Sequence, residues 1–365
     1  MKNEFNFGLE AEFMLADSKT FKPLWYKDVT FKTLDELFSH ISLEGIPSLS
    51  GLAAEPPHQK LMPFIVEGYG IPDANMNIVD AYPKGIEIRT PVCNSIHETM
   101  NVYEDLYLRV RKALSTISMV PVAISHHPTE TKFSGPQNKR RHDYWLWAME
   151  VMTTYGPDIN ISLPDDLSHQ VFKDLDELNA IVNYYAPAMA ALSLASPFYA
   201  GKPWMIKGGE GKSYRTFKRS VIAPAIELHP DENNRIEFKV FEMTKDSRDF
   251  EAYFHLVLGL FLSPNLKGRA SHQERIYDSG NVAQSGLNTA GVKETLSELF
   301  SQCEIVLPQY GFKTDSLKRL HMRLENREHI SDKMLEIYHE NKNIHQVVEH
   351  YSNFLGMNGT YLSPL

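Results

Sequence analysis

Hydrophobic residues stand at every second position where this chain begins. In EFNFGLEAEFML (residues 4–15), Phe5, Phe7, Leu9, Ala11 and Phe13 alternate with Glu4, Asn6, Gly8, Glu10 and Glu12. A period of two marks a β-strand with one apolar and one polar face. The alternation returns three times. Ile86 and Ile88 oppose Glu87 and Arg89 in GIEIRTPV; Ile159, Ile161 and Leu163 oppose Asp158, Asn160 and Ser162 in GPDINISLP; Ile236, Phe238 and Val240 oppose Glu237 and Lys239 in RIEFKVFEM. VPVAISHHP also reads as a strand, and residues 62–92 read as strands broken at Gly70 to Asp73 and Pro83 to Gly85.

Helical periodicity fills the spaces between. TLDELFSHI, SIHETMNVYEDLYLRVRKALSTI and RHDYWLWAMEVMTTY carry it, as does a long segment after residue 167 expected to bend or break at Pro187. A further helix starts near Ser247, and from about Thr289 helix follows helix. The pattern predicts an α+β fold: an antiparallel or mixed sheet of about six strands, helices on its outer face and a helical C-terminal third. The expected division is a catalytic sheet-and-helix domain over residues 1–288 and a helical segment, 289–365, packed on it.

Composition narrows the function classes. The chain has 365 residues and a net charge of −9, which disfavours a dedicated nucleic-acid binder. The basic run NKRRHDYW (residues 138–145) reads as a solvated helix start, and YWLWAMEVM as helix core. No apolar stretch reaches the roughly 18 residues of a membrane span, and no leader pattern is seen, so a cytoplasmic enzyme is expected. Cys93 and Cys303 provide no disulfide framework, and a buried, inert thiol is expected at Cys93. KGGEGKSYR lacks the glycine a Walker motif needs at position 206, where Ile stands; it reads as a surface loop or a loop closing over a ligand.

The polar faces carry the chemistry. Glu10, Glu12, Glu87, Asp158 and Glu237 fall on them, with Arg89 and Lys239 as the cations counted there. A half-solvated sheet accounts for any one such strand. Gathered on one concave face, five carboxylates repel one another unless hard cations such as Mg²⁺ or Mn²⁺ neutralise them, and such ions clamp phosphate oxygens.

Six motifs in order carry a family resemblance. GLEAEF resembles the G-[IV]-E-x-E opening of the glutamate–cysteine ligase and carboxylate–amine ligase superfamily. DAYPKGIEIRTPV resembles its second motif, with Asp80 seven positions before Glu87; SHHP, GPDINISLP, ALSLASPFYAG and RIEFKVFEM are similar to the later ones. The resemblance implies a glutamine-synthetase-like curved sheet holding ATP and Mg²⁺, and a reaction in which a carboxylate is phosphorylated and an amine then displaces phosphate. It implies metal ligation by Glu10, Glu12, Asp80, Glu87, Asp158 and Glu237, and nucleotide or phosphate contacts from Lys239, Arg215, Asn160 and His127. Glu87, Arg89 and Lys239 are the expected catalytic groups. Asp158 replaces the family's usual His, and Lys239 its arginine. Arg89 is read as pairing with Glu87 or as gripping a substrate carboxylate. Small amino-acid and amine substrates follow, with no nucleic-acid or membrane partner; a homo-oligomer stays open. Two alternatives also stay open: a phosphotransferase on the same fold, and a non-catalytic nucleotide- or amino-acid-binding regulator. Glu67, Tyr69, Asp73 and Asn75 read either as an edge hairpin or as a substrate-recognition lip.

Overall fold

Strict alternation places the apolar half of each strand on one side of a single sheet. The computed structural model describes residues 4–134 and 148–362. The stretch NKRRHDYW lies outside these, as do the first seven residues of the helix read over 141–155; Ala148–Thr153 is a 3₁₀ turn. The main strands are β1 (Asn6–Asp17), β2 (Phe64–Pro72), β3 (Ile78–Arg89), β4 (Met119–Val122), β5 (Pro157–Ser162), β6 (Ile226–His229) and β7 (Arg235–Phe238). They form one antiparallel sheet in the order β6-β7-β5-β1-β3-β2, with β4 pairing the far end of β1. The sheet curls into a half-barrel.

The described helices are α1 (Phe31–Ser39), α2 (Ile96–Ser115), α3 (Asp165–Val171), α4 (Leu175–Ala191), α5 (Tyr214–Arg219), α6 (Ser247–Leu262), α7 (His272–Ser285), α8 (Val292–Val306), α9 (Leu317–Asn326), α10 (Ile330–Asn341) and α11 (Ile344–Tyr351). The segment expected to bend at Pro187 instead breaks earlier, between α3 and α4. Asp174 caps α4 by accepting from the Glu177 amide, so a new helix starts there while Pro187 lies inside it. Two other expectations shift. β2 and β3 run through the glycines and prolines expected to break them, and the last strand stops at Phe238, leaving Lys239 just past its end.

The apolar strand faces are sealed by helices. Leu9, Ala11, Phe13, Ile86, Ile88, Ile159, Ile161, Ile236 and Phe238 are completely buried. Tyr107 of α2 packs on Phe13, and Phe254 of α6 on Phe7. The same hydrophobic cluster continues through Leu296, Leu320, Met334 and Val347 of the last helices. Asp249 on α6 accepts from Arg319 and Arg323 of α9, tying that group to the core by charge as well. With the outer face covered, the polar face of the sheet is left for chemistry. Among the described residues no helix is long and apolar enough to cross a membrane.

Candidate active site

Antiparallel register turns the alternation of separate strands into one polar surface. Glu10 on β1 stands opposite Asp158 on β5 and Arg89 on β3, Glu12 stands opposite Glu87, and Glu237 on β7 opposite Asn160. Residues directly opposite share a face. Glu10, Asp158 and Glu237 thereby each bring a carboxylate oxygen within 4.8 Å of the other two. Glu237 belongs to a second such group with Glu227 and His229 on β6.

Cations hold one side of this group. Lys239 reaches back to Glu237 and lies 3.3 Å from Asp158 and 3.6 Å from Glu227. Arg235 donates to Glu237 at 3.1 Å and to the Asn160 carbonyl oxygen at 2.6 Å, and the Asn160 amide donates to Glu10 at 3.2 Å. Burial works to raise the Glu237 carboxyl, but Lys239 and Arg235 outweigh it and hold it below the usual range. Glu10 makes no ion pair among the described residues; burial, then Asp158 and Glu237, push it up to about 7. Glu87 is raised well above the usual range by burial and by Glu10, Glu67 and Glu12, and its carboxyl hydrogen-bonds Glu10. Carboxylates that raise one another in this way fit a hard divalent cation, which reverses both effects by supplying charge and ligand geometry together.

The family model for glutamate–cysteine ligase family 2 matches residues 6–214, more than half of the chain. The chain belongs to this family. A curated relative from Jannaschia sp. (strain CCS1), named after glutamate–cysteine ligase 2, is 23% identical over 168 residues, 44% of this chain and 43% of its own length. Among solved structures, a glutamate–cysteine ligase from Francisella tularensis in complex with AMP superposes with a TM-score of 0.63 at 12% identity, covering 96% of this chain and 89% of that one. A bifunctional glutathione synthetase from Pasteurella multocida gives 0.59 at 13% identity, over 96% of this chain and 52% of its own. The ligase PafA, in complex with the ubiquitin-like protein Pup, gives 0.52 at 11%, over 99% and 74%. The chain thus spans about half the length of two of the proteins it matches. At these identities the superpositions establish the fold.

Within the family's motif region, not every expected ligand reaches the three-carboxylate group. Glu12 is bound by Lys84, whose ammonium donates to it at 2.6 Å and to the Thr154 carbonyl at 2.8 Å, with Glu67 at 3.4 Å. The Gly156 amide donates to the other Glu12 oxygen. The strand period does not announce Lys84, which sits in a β-bulge: Glu67 pairs with Gly85 and Gly68 with Pro83, so Lys84 is an extra residue in β3. Asp80 is exposed near the far end of the β2–β3 hairpin, where it accepts from the Ala81 amide, and the structure does not bring it to the group. Glu67 belongs to the site face through Lys84, whereas Asp73 closes the hairpin turn by accepting from the Asn75 and Asn77 amides.

Arg89 has a different partner from the one expected. It pairs with Glu55 of the loop before β2 and donates to the Ala53 and Met62 carbonyls at 3.1 and 3.3 Å. Arg89→Ala should therefore release that loop and destabilise the fold by about 1–3 kcal/mol, the range for buried groups left unpartnered. Urea denaturation checks this, and an unchanged midpoint would disprove a structural role. His127 is fully occupied by protein: its Nδ1 accepts from the Glu130 amide at 2.9 Å, its Nε2 lies 3.3 Å from the Leu24 carbonyl, and Trp25 packs edge-on. Arg215 is buried on α5, its guanidinium laid against Gly156, where a Cβ would lie 2.1 Å from Nη2. Arg235 was readable from the sequence, since it shares the parity of Glu237 and Lys239; Glu227 and His229 belong to a short strand that no pattern announced.

The raised carboxyls give a pH signature. Folded Glu10 and Glu67, both near 7 against an ordinary 4.5, bind protons between these values that the unfolded chain has released. Their contribution to the stability of the metal-free protein should thus fall as pH rises from about 4.5 to 7, by on the order of 1–3 kcal/mol per group, and then level off, while His126 and His127, both pushed down to about 3 by burial, act in the opposite direction below pH 6.5. Denaturation of the wild type and of Glu10→Gln at pH 5 and pH 8 in chelator isolates the Glu10 part; a stability difference between the two that is the same at both pH values would contradict the assignment.

Proposed function

We propose that this protein is an ATP- and divalent-metal-dependent ligase joining a small amino-acid carboxylate to an amine through an acyl phosphate. The observation that carries this reading is the group of Glu10, Asp158 and Glu237 with Lys239 and Arg235 against it. Phosphoryl transfer is catalysed mainly by positioning and charge neutralisation, and this arrangement has both signs of charge to do it. Glu10, Asp158 and Glu237 would hold Mg²⁺ or Mn²⁺, with Glu87 adjoining. Bound there, the ion neutralises phosphate oxygens of ATP.

The chain's own residues do the rest. Lys239 and Arg215 present positive charge towards the phosphates, and Asn160 fixes the Glu10 carboxylate by donating to it. Beside Glu10 lies a cavity of about 200 Å³, lined by Arg89, Arg235, Glu55, Asn160 and Gly8 among others. This falls below the roughly 300–1,000 Å³ of sites for drug-sized ligands, which favours a small acid there. Its mixed lining of arginines and glutamates suits a zwitterion. Gly8 contributes backbone without a side chain to its wall. The AMP held by the Francisella tularensis protein supports the nucleotide half of the reading. The test is to incubate the protein with ATP, Mg²⁺ and amino acids singly and in pairs, following ADP and phosphate. ADP release that requires both an acid and an amine is expected. A stable phosphorylated product with no amine required, or tight nucleotide binding without turnover, would overturn the ligase reading.

A further inference from the structure

Glu242 is a completely buried acid three residues past Lys239, and it makes no ion pair among the described residues. Its carboxylate accepts four hydrogen bonds. They come from the Ala195 amide at 2.6 Å, the Ser196 hydroxyl at 2.8 Å, the Thr216 hydroxyl at 2.7 Å and the Ser213 hydroxyl. Its own amide donates to the Ser193 hydroxyl at 3.0 Å. One side chain thus joins the end of β7, the turn after α4 and the start of α5. The four donors satisfy its lone pairs but bring no positive charge, and a buried charge without a counter-charge is costly.

The counter-charge stands on α5. Arg215 is 2% exposed, and its Nε–H has no hydrogen-bond partner among the described residues. Burial, then Arg219, push its guanidinium down to about 10, while Glu242, Glu12 and Asp158 act against them. Glu12 and Asp158 belong to the polar face of the sheet; Glu242 is the acid that answers Arg215 from the interior.

The same carboxylate sets where α5 begins. That helix has six residues, too few to hold itself in water, so its place is decided by its first turn. Ser213 caps it by accepting from the Thr216 amide at 2.8 Å. A hydroxyl has one proton, and Ser213 gives its own to Glu242, which leaves its lone pairs for Thr216. The Ser196 hydroxyl also donates to Glu242 and accepts from the Arg215 amide at 3.3 Å. From this turn the Arg215 guanidinium reaches Gly156, where a Cβ would lie 2.1 Å from Nη2. The Gly156 amide in turn donates to Glu12 at 2.9 Å.

We propose that Glu242 is a positioning residue for Arg215: it orients the cap of α5 and supplies the interior charge that keeps the guanidinium seated on Gly156, beside the polar face. The consequence for turnover rests on the ligase reading; the seating of Arg215 does not.

The test observes Arg215 itself by NMR, in protein carrying ¹⁵N-arginine and free of nucleotide and metal. Arg215→Lys assigns the Nε–H resonance by deleting it. Glu242→Gln keeps the shape and removes the charge. In that variant the Arg215 Nε–H should exchange with water about 10- to 100-fold faster, the scale of hydrogen bonds to a charged group, while the β1 amides keep their protection. A general loss of stability would speed both alike. Thr216→Val removes one of the four donors and carries the test, with the same sign, if Glu242→Gln fails to fold. Under the ligase reading, Glu242→Gln and Arg215→Lys should each lower kcat, and the double variant should be no worse than the poorer single one, because residues acting as a unit are not additive. Arg215 exchange unchanged relative to β1 in the Glu242 and Thr216 variants, or losses in kcat that add, would overturn the positioning role. Wild-type protein that forms no amide, with Arg215 still selectively loosened by Glu242→Gln, would overturn the ligase reading and leave the positioning role standing.

Discussion

Glu10→Gln is expected to lower ATP-dependent turnover by about 100- to 1,000-fold, the loss found when a group that organises transition-state charge is removed. The substitution keeps shape and deletes one of three carboxylates whose oxygens lie within 4.8 Å. Two readouts distinguish this from damage to the fold. Metal-free stability at pH 8 should stay level or rise, because Asp158 and Glu237 lose a repelling neighbour. Mn²⁺ titration followed by paramagnetic resonance should show weakened binding. Turnover near wild type would refute the assignment of the metal group.

The largest stability effect is expected at Lys84. Its side chain is 5% exposed and its ammonium is the cation in contact with both Glu12 and Glu67. Replacing it by Met leaves two carboxylates in a poorly hydrated setting without a counter-charge. Removal of one partner from a buried ion pair typically costs about 3–5 kcal/mol. Lys84→Met should show a loss of that order in urea denaturation. Adding Glu67→Gln to Lys84→Met should recover part of the loss, since it deletes one of the stranded charges. A Lys84→Met protein as stable as wild type would show that the ammonium does not hold these carboxylates.

The parts of the site legible in the sequence are those where local chemistry and backbone period agree. Glu10, Glu87, Asp158 and Glu237 lie on regular strands opposite residues that are fully buried, so parity alone assigns their face. Arg235 obeys the same rule, two positions before Glu237, to which it donates. Lys84 was not legible, because a bulge is set by how two strands meet and leaves no period of its own. The Asp174 cap, and not Pro187, decides the break between α3 and α4. Asp80 went astray because a spacing of seven carries no information about where a hairpin leaves the sheet. The helical C-terminal third was plain from periodicity, but its electrostatic tie through Asp249 to Arg319 and Arg323 was not.

Residues five apart in a regular strand project to opposite sides. In β3 the extra residue at Lys84 cancels that rule, so Glu87 and Tyr82 look the same way, across from Ile65 and Tyr69 on the neighbouring strand. Tyr82 stacks on Tyr26, whose ring in turn stacks on Phe133 and packs against Trp25. One continuous strand therefore presents, along a single side, an acid, an ammonium and a flat aromatic ledge. Excision of Lys84 would do more than remove a charge. It would also remove the bulge, leaving Glu87 and Tyr82 four apart in a regular strand and still on one side, so the aromatic ledge would outlast the ammonium.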